Sequence, residues 1–430
     1  MTQRAAFLGQ PYGAYLHRDI PQEDGELTHV GPGTPCGEYL RRFWHPVAAS
    51  DELKDVPIPI RIMGEDLVIF RDLSGRVGLM ERHCPHRGTS LEFGSLSEQG
   101  IRCCYHGWLF DADGTILETP GEPAGSTLKD RLCHGAYPTR EHCGLVFAYM
   151  GPKELQPPFP VFDTIVGEGE EGHRPSSAAG GKHYMPCNWL QIKENSMDPV
   201  HTAFLHTIVS GAQFTEEFGV IPELDFIETP IGMVYIATRR VGDNVWVRMN
   251  DIIPPNIHQV ASSSEDGRQE HGFDRPWLTQ WSVPVDDNET MNIRLRHYSE
   301  EEYRSSNRPP VLTFGQVGDR DHEARQRVPG DYDAMSTIHW GMSRHGLEHL
   351  GYTDRGVIML RNLVRRGIED VQVGRSPLGA HQPAGQVVRT YANDTVVRVP
   401  AASSPEEDAK LLRETGLRVA QGYIENPPRF

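Results

Sequence analysis

Cysteine is scarce in this sequence, with seven residues among 430. The number is odd and the spacing is uneven, which argues against a disulfide framework. Reduced thiols are therefore expected to be available as metal ligands. The chain is also too long for a small domain held together by cross-links, and its length favours two or three domains.

Positive charge is in deficit. Lysine and arginine together number 42 against 59 aspartate and glutamate residues, which gives a net charge of −17. Such a chain has no electrostatic reason to bind a phosphate backbone or an anionic lipid surface. We therefore expect no nucleic-acid partner.

Long apolar runs are absent as well. No run approaches the ~18–20 residues that span a bilayer, and the first residues lack the apolar core of a secretory signal. We expect a soluble, cytoplasmic protein with no membrane partner. Glycine and proline are instead abundant, at 43 and 33 residues, which favours a turn-rich, strand-rich fold.

The chain is expected to divide into three parts. Residues 1–44 form an N-terminal arm that ends in a short helix capped by Thr34 and that packs on the larger domain. Residues 45–155 alternate short apolar runs with turn residues and predict an all-β domain. Residues 156–430 combine long strand-like runs with helical stretches near 190–207, after Asp354 and after Ser404. A polar segment at 167–182 is typical of a linker.

Two short groups in the β domain offer soft metal ligands. Cys84 and His86 are followed after sixteen residues by Cys103 and His106. Four such ligands suit a tetrahedral zinc or a two-iron, two-sulfur cluster with histidines on one iron. Zinc sites usually open with two cysteines close together, whereas here each loop supplies one ligand of each type. The spacing favours the cluster, and a structural zinc loop with surface histidines is the alternative.

The segments CPHRGTSLEFG and RCCYHGWLFDADG resemble the Rieske family, whose motif is Cys-x-His followed by Cys-x-x-His. The Gly107-Trp108 pair after the last ligand resembles the oxygenase branch. The resemblance implies that Cys84, His86, Cys103 and His106 bind a [2Fe-2S] Rieske cluster. It also places Arg87 beside the cluster at a subunit boundary, although a solvated loop arginine is an alternative. Cys104 departs from the usual apolar residue at its position.

A second group of possible ligands lies in the larger domain, where Asp198, His201 and His206 follow one another. On a helix Asp198 and His201 share a face, so the carboxylate could accept the imidazole N–H. His201 and His206 are five residues apart, about 140° around an ideal helix, so their convergence requires local unwinding or a bulge. Taken alone, this segment would more often be a helix with two structural histidines.

Downstream of a Rieske motif, Asp-x-x-His-x-x-x-x-His resembles the iron-binding segment of Rieske non-haem iron oxygenases. The resemblance implies that His201 and His206 bind mononuclear Fe(II) with one carboxylate from a later helix. Asp331 and Asp333 are the candidates. They are two residues apart, about 200° around a helix, so only one should face the metal. We favour Asp331 and keep Asp333 in reserve.

The same resemblance gives Asp198 a catalytic bridging task, between His201 of one subunit and the cluster ligand His106 of the next. It therefore implies a ring, either a homotrimer or a hexamer. Asn188, Trp189 and Asn195 match further residues of the segment. Asn195 could adjust access to iron, while packing or capping explains all three as well.

The fold class expected from the resemblance is α+β, with an all-β Rieske domain and a catalytic domain whose antiparallel sheet is flanked by helices. The expected function is that of a terminal oxygenase in the phthalate dioxygenase-like group. It would use dioxygen and electrons from a separate NADH-dependent flavin/iron–sulfur reductase, or a ferredoxin, because the chain has no nicotinamide motif of its own.

The expected substrate is a small aromatic molecule, either an aryl carboxylate or an aryl ether. Arg248, Arg294 and Arg296 lie on strand-like runs and could bind an anionic group, although solvated or salt-bridged roles are more common for each. A monooxygenase that acts as an O-demethylase is the alternative within the family. An iron–sulfur electron-transfer protein without oxygenase activity is the alternative outside it.

Overall fold

The computed structural model describes residues 11, 22–165, 174–175, 181–274, 276–298, 317–382 and 385–426, with the backbone alone at 174–175. The segment expected to be a linker, 167–182, lies outside the described residues except at 174–175 and 181–182.

The first part of the chain after the N-terminal arm is built from three small antiparallel sheets. One sheet has the strand order β1-β11-β10, and the other two have the orders β2-β3-β4-β9 and β5-β6-β7-β8. The strands are β1 (Trp44–Ala49), β2 (Ile58–Ile62), β3 (Glu65–Arg71), β4 (Val77–Glu81), β5 (Ser95–Ser97), β6 (Gly100–Arg102), β7 (Leu109–Phe110), β8 (Ile116–Glu118), β9 (Ala136–Tyr137), β10 (Thr139–His142) and β11 (Leu145–Tyr149).

The second part is organised around a nine-stranded sheet with the order β13-β20-β19-β18-β17-β16-β15, in which β14 also pairs with β20 and β22 with β17. A separate two-stranded parallel sheet joins β12 to β21. The strands are β12 (Val161–Phe162), β13 (Arg174–Pro175), β14 (His183–Met185), β15 (Glu223–Thr229), β16 (Gly232–Val241), β17 (Asn244–Ile253), β18 (Ile257–Val260), β19 (Leu278–Pro284), β20 (Thr290–Tyr298), β21 (Val387–Val388) and β22 (Asn393–Arg398).

Helices flank the large sheet and also form the end of the N-terminal arm. In chain order the α-helices among the described residues are α1 (Gly25–Thr28), α2 (Pro35–Leu40), α3 (Trp189–Ser196), α4 (Val200–Ala203), α5 (His322–Arg327), α6 (Asp331–Thr337), α7 (Arg355–Gln372) and α8 (Pro405–Glu425). The cap expected at Thr34 is present, since its side chain accepts a bond of 3.2 Å from Gly37 N–H. The helix after Asp354 buries Leu360, Val364 and Ile368, as its apolar stripe predicted.

The N-terminal arm packs on the larger part of the chain. The Tyr39 ring of α2 lies so close to Gly367 of α7 that a Cβ atom there would come within 2.3 Å of it. Trp189 donates its indole N–H to the Leu27 carbonyl at 3.3 Å. The two main parts also meet in one apolar core, where the rings of Phe147 on β11 and Trp281 on β19 have centroids 5.7 Å apart.

The α+β fold class is confirmed. The strand-like runs at 233–240, 244–253, 278–285 and 291–298 became β16, β17, β19 and β20, while β15, β18 and β22 of the same sheet were not anticipated. Among the described residues, no helix is both long enough and apolar enough to cross a bilayer.

Candidate redox and metal sites

Two loops of the β-rich domain present the four predicted cluster residues in matching arrangements. In each loop the cysteine N–H donates to the carbonyl five residues later, and a glycine four residues later donates its N–H back to the cysteine carbonyl. These bonds of 2.8 to 3.1 Å join Cys84 with Thr89 and Gly88 in the first loop, and Cys103 with Trp108 and Gly107 in the second. Both glycines have a positive φ, 76° and 75°, which a side chain would strain. The two loops are therefore built alike.

The two loops separate thiols from imidazoles. Cys84 and Cys103 are each 3% exposed, whereas His86 lies at the surface and stacks on Trp108 with ring centroids 4.8 Å apart. The rings of His86 and His106 are 4.4 Å apart. Burial, with the neighbouring Cys103 thiol, raises the pKa of Cys84 to about 11. Two thiols on one side and two imidazoles on the other fit a two-iron cluster with one ligand type on each iron.

The segment with the second set of candidates is helical but irregular. Helix α3 begins after Asn188, whose side chain accepts from Leu190 N–H at 3.1 Å. Helix α4 then carries His201, and from Phe204 to Val209 the backbone continues as a π-helix that carries His206. The expected local unwinding is confirmed, because a π-helix forms i→i+5 hydrogen bonds and has more residues per turn, which brings two histidines five residues apart toward the same side.

Three side chains converge at this point. The Nε2 atom of His206 lies 3.2 Å from Asp331 Oδ1, and the Nε2 atom of His201 lies 3.6 Å from the same oxygen. One ligand atom from each residue lies within 4.8 Å of the other two. Asp331 is the first residue of α6 and lies 125 residues after His206 in the sequence.

Each imidazole is oriented by an oxygen on its other nitrogen. His201 donates its Nδ1–H to the Asp198 main-chain carbonyl, and His206 donates its own to Gln213 Oε1 at 2.9 Å. The structure differs here from the sequence-based expectation that the Asp198 carboxylate would accept the His201 bond. The Asp198 Oδ2 atom lies 3.8 Å from His201 Nδ1, and its Oδ1 atom accepts from Val200 N–H at 3.0 Å. The main-chain carbonyl of Asp198 lies nearer to the ring and accepts the bond instead.

This arrangement places three electron-pair donors face to face. With both Nδ1 atoms protonated, the two Nε2 atoms present lone pairs to a carboxylate oxygen that is itself an acceptor. Burial lowers the pKa of His206, but the Asp331 charge and the hydrogen bonds that the protonated ring makes to Asp331 and Gln213 outweigh it, so the pKa is raised. The site therefore favours a cation between the three residues, and two imidazoles with one carboxylate fit Fe(II).

Asp333 lies away from the histidines. Its carboxylate accepts from Arg325 Nε at 2.5 Å, from Arg320 Nη2 at 3.0 Å and from Gly330 N–H at 2.9 Å. The two aspartates of α6 thus face different directions, as expected from their angular separation. Asp331, rather than the reserve candidate, reaches the imidazoles.

A cavity of about 130 Å³ adjoins these three residues. Much of its wall is the large sheet, where every second residue of five strands faces the cavity. The wall residues on these strands are His183 and Met185 of β14, Arg248 and Asn250 of β17, His258 and Val260 of β18, Leu278 and Gln280 of β19, and Asn292 and Arg294 of β20. Apolar side chains from other parts of the chain, including Ile192, Phe214 and Met335, complete it.

The three arginines considered as candidates for binding an anionic substrate differ in position. Arg248 lies in the cavity wall and forms a buried ion pair with Asp394 at 3.1 Å. Arg294 also lies in the wall, donates to Gln280 at 2.5 Å, and remains charged at neutral pH although burial lowers its pKa to about 10. Arg296 packs over the Trp277 ring at 4.3 Å and is not a wall residue.

Other residues named from the sequence have simpler roles. Asn188 caps α3 and donates to the Thr28 carbonyl at 2.9 Å, so capping and packing account for it. Asn195 Nδ2 lies 3.4 Å from Asp331 Oδ1, which places this side chain at the candidate metal site. Arg87 is exposed and lies 5.5 Å from the centre of the Tyr105 ring.

Sequence reasoning named Arg248 and Arg294 but missed Gln213 and the other polar residues of the cavity wall. Gln213 lies in a loop with no motif that could have marked it. The wall residues did leave a signal, since on β20 Asn292 and Arg294 alternate with Met291, Ile293 and Leu295 although the whole strand is buried. A row of polar residues with a period of two in a buried strand indicates a polar cavity rather than a core.

Comparison with known proteins agrees with this geometry. The model of the Rieske [2Fe-2S] domain matches residues 43–132. The oxygenase subunit of tert-butanol monooxygenase/tert-amyl alcohol desaturase from Aquincola tertiaricarbonis is 41% identical over 444 residues, which cover 96% of this chain and 92% of that protein. The alpha subunit of phenoxybenzoate dioxygenase from Ectopseudomonas oleovorans is 40% identical over 400 residues, 89% and 93% of the two chains. The chain belongs to the Rieske non-haem iron oxygenases.

The fold agrees with solved structures of Rieske oxygenases. NdmA of Pseudomonas putida CBB5, in a variant bound to theobromine, superposes with a TM-score of 0.58 at 18% identity and covers 86% of this chain and 99% of its own. At that identity the likeness concerns the fold. This Rieske oxygenase therefore has the expected combination of an all-β Rieske domain and a larger domain with an antiparallel sheet and helices.

Membership of the family defines the cofactors and the type of reaction. A Rieske non-haem iron oxygenase carries a two-iron, two-sulfur cluster and a mononuclear iron, and it reacts with dioxygen. This chain is the oxygenase subunit of such a system, which receives electrons from a separate ferredoxin or reductase. A structural zinc loop and a simple electron carrier, the two alternatives considered from the sequence, are therefore disfavoured.

Proposed function

We propose that Cys84, His86, Cys103 and His106 bind the Rieske cluster, and that His201, His206 and Asp331 bind the mononuclear iron. The observation that carries the second assignment is the convergence of two oriented Nε2 atoms on one carboxylate oxygen. These three side chains would hold Fe(II), and the bound metal would supply the activation of dioxygen. The chain then has to hold a substrate beside this point and exclude water from it.

The volume of the cavity supports a substrate with a single aromatic ring. Its volume of about 130 Å³ is close to the roughly 150 Å³ of an apolar cavity that binds benzene. Ile192, Phe214 and Met335 can bury the apolar body of such a molecule. A two-ring substrate of the size named for the relative from Ectopseudomonas oleovorans would require the cavity to enlarge.

The electrostatics of the wall support an anionic or hydrogen-bonding group on that substrate. Arg294 and Gln280 face each other on β20 and β19, and His258 pairs with Gln280 on the next strand. Burial, followed by the charges of Lys193, Arg248 and Arg294, lowers the pKa of His258 well below its usual value. The row thus combines one cation with neutral polar groups, which suits a carboxylate. We therefore propose a one-ring aryl carboxylate or aryl ether.

Two reaction outcomes are compatible with this site. The leading proposal is hydroxylation of an aromatic substrate. The second is monooxygenation at a saturated carbon, including O-demethylation of an aryl ether. The small cavity also fits compact substrates without a ring, and the relative from Aquincola tertiaricarbonis is named for two tertiary alcohols.

We further propose that Asp198 connects the two centres between protomers arranged in a ring, a homotrimer or a hexamer. Its carboxylate is 33% exposed beside His201, and none of its hydrogen bonds among the described residues reaches the cluster loops. A carboxylate in this position can accept a bond from His106 of a neighbouring copy. The electron donor would be a flavin/iron–sulfur reductase or ferredoxin supplied by NADH in the cytoplasm.

The test is product analysis under labelled oxygen gas. The purified oxygenase, with a Rieske-oxygenase reductase and NADH, is given benzoate, methoxybenzoates and tert-butanol. Label in a ring-hydroxylated acid supports the leading proposal. Release of formaldehyde from a methoxybenzoate, or label in an oxidised tert-butanol, supports the second. Oxygen uptake that is independent of all compounds and of mononuclear iron contradicts both.

A further inference from the structure

The side chain of Gln213 is tied to one candidate iron ligand more closely than any motif indicates. Its main-chain N–H donates to the His206 carbonyl at 2.8 Å, and its Oε1 atom accepts the His206 Nδ1–H at 2.9 Å. The His206 ring is 2% exposed and packs at 4.9 Å from the Phe214 ring. This imidazole is therefore enclosed, and the Gln213 carboxamide is the group that faces its Nδ1 atom.

The orientation of the Gln213 amide follows from its second contact. Its Nε2 atom lies 3.4 Å from the Pro329 carbonyl oxygen. A carbonyl only accepts, so the NH₂ group must face Pro329 and the oxygen must face His206. An oxygen at Nδ1 requires that this nitrogen carries the proton. The His206 lone pair is thereby directed to Nε2, the atom that faces Asp331.

The same carboxamide connects the segments that carry two of the three ligands. Pro329 lies two residues before Asp331, and its carbonyl also accepts from Ser210 Oγ at 2.6 Å. Ser210 thus contacts the same carbonyl without touching the imidazole. The chain therefore offers a pair of residues that share one structural contact and differ in the contact to His206.

We infer that Gln213 is a positioning residue for the mononuclear metal site, which sets the tautomer and the ring orientation of His206. This inference rests on the proposed function, since it assumes that His206 binds the metal through Nε2. Groups that hold a histidine ligand in this way usually contribute a factor of about 10–100 to metal affinity.

The experiment measures metal affinity rather than turnover. The full chain with its cluster intact is depleted of mononuclear iron and dialysed against Co²⁺, and bound cobalt is counted separately from cluster iron by elemental analysis. Gln213→Leu removes the acceptor and should weaken cobalt binding about 10–100-fold. Gln213→Glu keeps an acceptor at Nδ1 but loses the donor that faces the Pro329 carbonyl, so it should bind cobalt more tightly than Gln213→Leu. Ser210→Ala, the matched control, should lose less than about tenfold.

Each outcome decides the inference. Equal affinity of wild type and Gln213→Leu overturns it, and so does an equal loss in Ser210→Ala, which would assign the effect to the Pro329 contact. If Gln213→Leu does not fold, Gln213→Met takes its place, because it matches the length of glutamine and lacks a strong acceptor. Equal affinity of wild type and Gln213→Met then overturns the inference. Wild-type protein that takes up no cobalt overturns the iron-site proposal itself, and this inference with it.

Discussion

The two aspartates of α6 allow a direct test of the iron-site assignment. Asp331→Asn and Asp333→Asn are isosteric changes two residues apart that each remove one negative charge. Asp331 faces His201 and His206, whereas Asp333 faces two guanidinium groups. We expect Asp331→Asn to lose the mononuclear metal with little change in stability, and Asp333→Asn to keep the metal and lose stability.

The size of the Asp333 effect follows from its contacts. The asparagine retains an oxygen for the Gly330 N–H but loses the charge that faces Arg320 and Arg325. The side chains of Asp333, Arg320 and Arg325 are 13%, 15% and 25% exposed. Exposed ion pairs contribute about 0–1 kcal/mol, and disruption of a buried ion pair costs about 3–5 kcal/mol. The ion pairs of Asp333 are intermediate in exposure between these two classes. We expect a loss of about 2 kcal/mol in the free energy of unfolding, which lowers Tm by about 4–8 °C.

The assay combines elemental analysis with thermal unfolding of metal-depleted protein, because bound metal would itself raise Tm. We expect Asp331→Asn to lose the metal with little change in Tm, and Asp333→Asn to keep the metal with a lower Tm. If Asp333→Asn loses the metal while Asp331→Asn retains it, the assignment of the carboxylate ligand is reversed and the reasoning from the imidazole distances is refuted.

Three further predictions concern electron transfer, pH and packing. Asp198→Asn should leave both metals bound but stop reduction of the iron by the cluster in single-turnover kinetics, and normal turnover would contradict the bridging proposal. Burial raises the pKa of Asp251 from about 4 to about 8, so the folded state retains a proton that the unfolded state releases, and stability should fall as pH rises from about 4 to about 8. Asp251→Asn should remove this slope from a denaturation series, and an unchanged slope would exclude Asp251 as its source. Gly416→Ala in α8 would place a Cβ atom 2.2 Å from Thr238 Oγ1 and should cost about 1–3 kcal/mol, whereas Gly422→Ala in the same helix meets nothing within 4 Å and should gain about 0.5–1 kcal/mol from helix propensity. Equal melting temperatures of these two variants would contradict the packing account.

The sequence predicted those parts of the site that depend on local geometry. The spacing of His201 and His206 indicated an irregular helix, and the structure has a π-helix there. The two-residue separation of Asp331 and Asp333 indicated that only one could face the histidines. In both cases the angular step of a helix is known without the rest of the fold.

What the sequence could not predict depends on contacts between distant segments. Gln213 reaches His206 because the chain turns back after Gly211, and this turn is closed by contacts with Pro329, which lies more than a hundred residues later. The acceptor of the His201 bond depends on which oxygen of Asp198, the main-chain carbonyl or the carboxylate, lies nearer to the ring. Neither fact is contained in periodicity or spacing.

The cavity wall is a surface of a sheet whose strands follow one another as hairpins. On β17, Arg248 and Asn250 face the cavity, and the intervening Met249 is buried in the apolar core on the reverse side. A slip of one residue in strand pairing would exchange the two faces. Hence misfolding by register shift would destroy both packing and chemistry together. Mutations restricted to every other residue could diversify substrate range while sparing the scaffold.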